Sequence, residues 1–142
     1  MKTANSMHKR LRLTILIVAF SGIAMCNACG NDAHSDSFVR GEMNSVRERT
    51  IPSDAVIGSS SDPKPTQYSV IADWEFETSE EKAVYLGWVS QQLQGDFRLK
   101  TSSESSLVFT KGFGGDSESV SIQTASSNGK LHVRVTNAIY PD

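Results

Sequence analysis

The chain of 142 residues has only two cysteines, Cys26 and Cys29, and both lie within its first thirty residues. The remainder has no thiol, which excludes a disulfide, a cysteine nucleophile and a cysteine-based zinc site there. Histidine is also scarce: the three histidines, at positions 8, 34 and 132, do not have the spacing of metal ligands. We therefore expect neither a metal ion nor a cofactor.

Positive charge is scarce beyond the first thirty residues. The only charged residues before Cys29 are Lys2, Lys9, Arg10 and Arg12. From Cys29 onward the remaining 10 Lys and Arg face 16 Asp and Glu, a formal charge of −6. This balance provides no attraction for a phosphate backbone, so we expect no nucleic-acid partner.

The one long apolar run lies near the N-terminus. A basic start, MKTANSMHKRLR, leads into 13 uncharged residues, LTILIVAFSGIAM. A membrane-spanning helix needs about 20 mostly apolar residues, whereas the apolar core of a secretory signal needs about 7 to 15. The length therefore predicts an export signal rather than a permanent transmembrane anchor.

The following residues, AMCNACGND, resemble the end of a bacterial lipoprotein signal peptide. In that family the cysteine after a short lipobox is lipidated and becomes the N-terminus. Ala28 is the small residue that the family's peptidase needs before the cleavage site. The resemblance therefore implies a signal peptide over residues 1–28 and lipidation of Cys29, with Cys26 as the alternative. A protein cleaved after Ala28 and secreted without lipid is the other reading.

A membrane location follows from the same resemblance. A lipidated Cys29 would anchor the exported protein to a membrane facing the periplasm. Gly30 stands where an Asp is linked to retention in the inner membrane, which favours the outer membrane. A redox C-x-x-C would need a preceding strand and a following helix, and neither is predicted here.

Residues 29–65 are polar, poor in aromatics and interrupted by three of the four prolines. Val39, Met43 and Val46 recur at helical spacing, but three apolar residues are few for the buried face of a stable helix. We therefore predict a flexible linker over residues 29–65 and a small domain over residues 66–142.

Five segments of this domain alternate between apolar and polar residues, as strands with one buried face do. In the first segment the apolar face runs from Tyr68 to Phe76, and in the second Phe97 and Leu99 are predicted to face inward. Asn128-Gly129 predicts a hairpin between the last two strands. The segments are YSVIADWEF, DFRLKTS, SLVFTK, ESVSIQTA and KLHVRVTNAIY.

One helix is predicted between the first two strands, over residues 79–94. Thr78 and Glu81 have the spacing of a capping box, and Gly95 stands where a left-handed C-cap belongs. Trp74 and Trp88 fall at or beside apolar stripes, so we expect both in the core. The prediction is an α+β fold, β-α-β-β-β-β, with an antiparallel sheet of about five strands and one helix on one face.

No catalytic set emerges from these residues. The glycine-rich KGFGGD, residues 111–116, joins two strands, so we predict a hairpin turn rather than a phosphate-binding loop. His132 is the domain's single histidine, and nothing in the sequence places a nucleophile beside it. We assign no catalytic residue.

The polar register of the strands is the candidate docking face. If the basic strands are neighbours, they form a cationic strip beside the acidic Asp73, Glu75 and Glu77. The alternative is an ordinary solvated face with cross-strand ion pairs. The residues of the candidate face are Arg98, Lys100, His132, Arg134 and Tyr140.

These patterns favour an exported, lipid-anchored envelope protein with a non-enzymatic binding or scaffolding domain. Its expected partners are the membrane, through the N-terminal lipid, and a protein or polysaccharide of the envelope. Two alternatives stay open: a secreted, unanchored ligand-binding or inhibitor protein, and a small envelope hydrolase that uses His132.

Overall fold

The computed structural model describes residues 36–142, which form two helices and seven strands. The predicted signal peptide, the candidate lipidation sites Cys26 and Cys29, and residues 30–35 lie outside the described residues. The predicted α+β class is confirmed, although the fold has one more helix and more strands than expected. The elements are α1 (Asp36–Thr50), β1 (Val56–Ser60), β2 (Lys64–Pro65), β3 (Val70–Thr78), α2 (Lys82–Leu93), β4 (Arg98–Ser102), β5 (Ser106–Phe113), β6 (Asp116–Ser127) and β7 (Lys130–Tyr140).

The seven strands form one sheet in the order β1-β3-β7-β6-β5-β4, and the short β2 also pairs with β3. Every described pairing is antiparallel. β3 and β7, which are far apart in sequence, are paired over nine residues of each strand. This pairing places the first long strand, β3, directly beside the last one, β7.

Tight turns connect the strands of the two long hairpins, β5–β6 and β6–β7. Gly114 and Gly115 connect β5 to β6 with φ of 58° and 102°. Asn128 and Gly129 connect β6 to β7 with φ of 53° and 73°. Positive φ at both turn positions suits glycine and asparagine, and both predicted hairpins are confirmed.

Both helices pack on one face of the sheet, the inner face, and share one apolar core with it. Trp74 is almost fully buried there, as predicted, and its Nε1 donates a hydrogen bond to Thr50 Oγ1 at 3.1 Å. The Tyr85 hydroxyl donates to Thr50 O at 3.0 Å. The end of α1 therefore holds residues of both β3 and α2.

The prediction of a flexible linker is wrong for residues 36–65. Helix α1 buries Val39, Met43 and Val46 against the sheet, with Thr50 at its end. Three apolar residues suffice because they join a core that the sheet and α2 already provide. An isolated helix would lack that core, which is where the local argument failed.

Residues 56–65 contain two strands of the sheet and are not a flexible linker. β1 and β2 both pair with β3 at the edge of the sheet. Pro65 is in β2, and the edge of a sheet is where a proline, which has no N–H to donate, is tolerated. Pro65, one of the three prolines that suggested a linker, therefore belongs to an edge strand.

Helix α2 begins three residues later than predicted, at Lys82. The expected capping box is absent because Thr78 Oγ1 donates to the Asp54 carboxylate instead, at 2.9 and 3.0 Å. Glu81 takes the N-cap position without a side-chain cap hydrogen bond. The predicted left-handed C-cap is also absent. Gln94 caps the helix in right-handed geometry, and Gly95 does not have a positive φ.

Two apolar residues predicted to be buried are exposed. Tyr68 precedes β3 and is 71% exposed. Leu99 is paired with the buried Phe109 and so shares its face, but it is 45% exposed because β4 is the last strand of the sheet. Alternation in a sequence gives the face of a strand but not its distance from the edge.

Candidate binding groove on the outer face of the sheet

The sheet face opposite the helices, the outer face, carries a row of polar residues across five adjacent strands. Antiparallel register places one residue of each strand directly beside the next. The row, from β1 through β3, β7 and β6 to β5, is Ser59, Glu75, Arg134, Gln123 and Ser106.

Arg134 and Glu75 form the charged centre of this row. Arg134 Nε lies 3.3 Å from Glu75 Oε1, and Ser59 Oγ donates to Glu75 Oε2 at 3.3 Å. Both charged side chains are about half exposed to solvent. Exposed ion pairs of this kind contribute about 0–1 kcal/mol each to stability, so a ligand can replace them at little cost.

A second charged group lies beside the row at Glu77. Lys130 Nζ donates to Glu77 Oε2 at 2.9 Å, and His132 Nδ1 lies 3.4 Å from Glu77 Oε1. The hydrogen bond and the charge of Lys130 hold the pKa of Glu77 below its ordinary value. Glu77 is therefore a carboxylate at neutral pH.

A groove of about 600 Å³, the outer groove, lies over these residues. It crosses the sheet from β1 to the turn between β4 and β5, where Ser105 O accepts a hydrogen bond from Thr124 N at 2.8 Å. Carboxylates, basic groups, an amide and hydroxyls together suit a partner rich in hydrogen-bonding groups. The lining is Gly58, Glu75, Phe76, Glu77, Ser105, Ser106, Gln123, Thr124, Ala125, His132, Val133 and Arg134.

The structure brings together only part of the predicted docking face. His132 and Arg134 line the outer groove. Arg98 and Lys100 are on β4, separated from β7 by β5 and β6, so the conditional cationic strip does not form. Tyr140 is exposed at the opposite end of β7.

The basic residues of β7 instead face carboxylates, because β3 is the neighbour of β7. The register puts Arg134 opposite Glu75 and His132 opposite Glu77. Gln123 and Ser106 were missed as groove residues. Their polar character at alternating positions was visible, but the order of strands that aligns them was not.

A separate, partly buried charged cluster lies between α1 and the inner face. Lys111 Nζ lies 2.5 Å from Glu42 Oε2 on α1 and 3.8 Å from Glu118 Oε2 on β6. The rings of Phe97 and Phe113 are each 5.4 Å from the same Nζ. Lys111 thus links α1 to the sheet, which makes this cluster part of the fold's packing.

Within residues 36–142, no cluster of three or more His, Cys, Asp or Glu is arranged to hold a metal ion. Over the same residues, no helix is both long and apolar enough to cross a membrane.

No protein-family model matches this chain, and no curated protein matches it. Among solved structures it is similar to one described as the crystal structure of LpqN, involved in cell envelope biogenesis of Mycobacterium tuberculosis. The similarity covers 65% of this chain and 69% of LpqN, with 14% sequence identity and a TM-score of 0.39. At this level, nothing known of LpqN is carried over to this chain.

Proposed function

We propose that this protein is exported, lipid-anchored in the cell envelope and non-enzymatic, and that its α+β domain binds a polar partner in the outer groove. The N-terminal sequence supports export, through its basic start and 13-residue apolar run. The lipoprotein-like residues before Cys29 support the anchor. The partner is a protein or polysaccharide of the envelope.

The observation that carries the binding role is the polar row in the outer groove. Hydroxyl, carboxylate, guanidinium and amide groups follow one another across five strands. A sheet holds these groups at fixed spacings, so little ordering is needed when a partner binds. Their half-exposed ion pairs offer both charges to that partner.

Such an anchor would keep the domain near the membrane. Only the six residues 30–35 lie between the candidate lipidated Cys29 and the start of α1 at Asp36. Fully extended, the seven Cα–Cα steps from Cys29 to Asp36 would span at most about 25 Å. The partner would therefore lie in the envelope layer next to the membrane surface.

Metabolic labelling with a palmitate analogue tests the anchor. The wild-type protein and Cys26→Ala are expected to be labelled, and Cys29→Ala is expected to lose the label. Labelling that persists in Cys29→Ala but is lost in Cys26→Ala would move the site to Cys26. A wild type that is unlabelled and does not partition into detergent would support the secreted alternative.

Affinity capture with full-length, C-terminally tagged protein tests the groove. Arg134→Glu places like charges opposite each other at Glu75 and should remove the captured partner. Arg98→Glu makes the same charge change on β4, outside the groove, and should keep it. Equal capture by both variants would place the binding surface elsewhere.

The hydrolase alternative is favoured by one observation: His132, 3.4 Å from Glu77, shares the groove with Ser105 and Ser106. A histidine oriented by a carboxylate is the base of many serine hydrolases. If the purified protein hydrolyses an envelope ester or amide, His132→Ala must abolish that activity. Activity that is undiminished in the variant would reject this role for His132.

A further inference from the structure

A second cavity, of about 380 Å³, lies between the α1–β1 connection and helix α2. It has no lining residue in common with the outer groove. Pro52, Val84, Tyr85 and Trp88 form its apolar wall. Val84 is 54% exposed and Trp88 is half-buried, so apolar surface is open to solvent here. A ligand that covers apolar surface in a concave site of this kind is bound favourably, because that surface is removed from water.

Asp54 places a fixed negative charge at this cavity. Its Oδ2 accepts hydrogen bonds from Ser79 Oγ at 2.7 Å, Ser79 N at 3.1 Å and Thr78 Oγ1 at 2.9 Å. These hydrogen bonds, that of the Ser79 hydroxyl first, hold the pKa of Asp54 below its ordinary value. The carboxylate is therefore ionised and oriented before any ligand arrives.

Glu80 adds a second carboxylate to the lining. Within residues 36–142, its side chain makes no hydrogen bond or ion pair. No Lys, Arg or His is among the described residues that line the cavity. Two negative charges thus face a small space that supplies no positive charge of its own.

The aromatic side chains complete the site. The rings of Tyr85 and Trp88 lie 6.0 Å apart at 40°, and the Tyr85 hydroxyl is already bound to Thr50 O. Tyr85 is only 1% exposed, so its ring supports that of Trp88, and Trp88 is the aromatic residue that a ligand can contact. Tryptophan attracts cations over its ring face more strongly than the other aromatic residues.

We propose that this cavity binds an organic cation, a guanidinium or quaternary ammonium group. The cation lies against Trp88 and is neutralised by Asp54 and Glu80, while its carbon stem packs on Pro52 and Val84. The shared chemistry fits an arginine side chain of a peptide or a free quaternary ammonium compound. The site is independent of the outer groove and of its partner.

Binding is measured by NMR on ¹⁵N-labelled protein purified in a non-ionic detergent. The probes are N-acetyl-arginine methylamide, choline, and N-acetyl-citrulline methylamide as the neutral isostere of the arginine probe. The arginine probe or choline should shift the Trp88 indole N–H, and citrulline should bind about tenfold or more weakly than arginine. Tighter arginine binding identifies a peptide side chain as the source, and tighter choline binding identifies a free quaternary ammonium compound.

Variants distinguish cation binding in this cavity from nonspecific attraction to the acidic protein. Trp88→Leu and Glu80→Gln should each weaken cation binding about fivefold, whereas Glu104→Gln, a matched change in the β4–β5 turn, should leave it unchanged. Within the described residues the Glu80 side chain makes no hydrogen bond or ion pair, so its variant reports binding even if Trp88→Leu does not fold. Equal affinity for arginine and citrulline, or no shift of the Trp88 indole with either cation, would overturn the proposal.

Discussion

Asn137 Nδ2 donates a hydrogen bond to Glu118 Oε1 at 2.9 Å, and neither residue is exposed to solvent. Among residues 36–142, no group donates a hydrogen bond to Glu118 Oε2 or Asn137 Oδ1, although Lys111 Nζ lies 3.8 Å from Glu118 Oε2. Burial raises the pKa of Glu118 above its ordinary value, even though the hydrogen bond from Asn137 opposes that rise. The pair therefore makes stability depend on pH.

Replacing Glu118 with Gln is expected to stabilise the protein at neutral pH. Because the folded-state pKa of Glu118 lies above its ordinary 4.5, the folded state binds more protons than the unfolded state above pH 4.5. The free energy of unfolding therefore falls as pH rises from 4.5 through the folded-state pKa of Glu118. Glu118→Gln carries no charge and keeps a side-chain oxygen that can accept from Asn137 Nδ2, so the gain at pH 7 should be about 1 kcal/mol and should disappear near pH 4.

Urea unfolding of Glu118→Gln at pH 4 and pH 7 checks this expectation. Glu104→Gln, in the exposed β4–β5 turn, is the matched control and should differ little from wild type at either pH. A Glu118→Gln protein that is less stable than wild type at pH 7 would show that the Lys111 contact outweighs the burial of the carboxylate.

Helix α1 is predicted to be an integral part of the fold. Met43 is 2% exposed in the core, so Met43→Ala should lower the free energy of unfolding by about 2–5 kcal/mol. The adjacent Asn44 is exposed, and Asn44→Ala should change it by less than about 0.5 kcal/mol. Equal stability of the two variants, measured by urea unfolding, would return residues 36–50 to the status of a linker.

The hydrogen bond between Trp74 and Thr50 should be measurable separately from packing. Thr50→Val keeps the shape of the side chain but leaves the buried indole N–H without its acceptor, at a cost of about 1–3 kcal/mol. Thr50→Ser keeps the hydroxyl and loses only a methyl group. Thermal unfolding should rank the variants wild type, Ser, then Val, and a Val variant as stable as Ser would contradict the assigned bond.

Two glycines should respond to alanine in opposite directions. Gly129 has φ of 73°, where an L-residue is strained, so Gly129→Ala should destabilise by about 1–2 kcal/mol. Gly87 lies in α2 with nothing within 4 Å of an added Cβ, so Gly87→Ala should stabilise by about 0.5–1 kcal/mol. Differential scanning calorimetry gives both values, and a shift of the same sign in both variants would contradict the described turn or helix.

The sequence predicts which face of a strand is buried better than it predicts where the sheet ends and where the folded domain begins. Alternation correctly places Ala72, Trp74 and Phe76 inward, because the pleat alone decides which face a side chain occupies. It misplaces Leu99, whose exposure depends on being at a sheet edge. It also fails for α1, since the burial of its three apolar residues depends on contacts far away in the sequence.

The candidate site was only half predictable for a similar reason. The register of each strand correctly put His132 and Arg134 on one polar face. The order of strands, which pairs them with Glu77 and Glu75 and moves Arg98 away, is decided by long-range pairing. Nothing local in the sequence encodes that β3 lies beside β7. The condition for the cationic strip, adjacent basic strands, is therefore not met, and cross-strand ion pairs form in its place.

Site-specific photo-crosslinking in intact cells tests the central claim, that the outer groove binds a partner in the envelope. A photoreactive residue at Gln123, inside the groove, should give a discrete adduct in the membrane fraction. The same residue at Lys100, on β4, should not, and Arg134→Glu should remove the Gln123 adduct. No adduct at Gln123, or equal adducts at Gln123 and Lys100, would contradict a binding role for the groove.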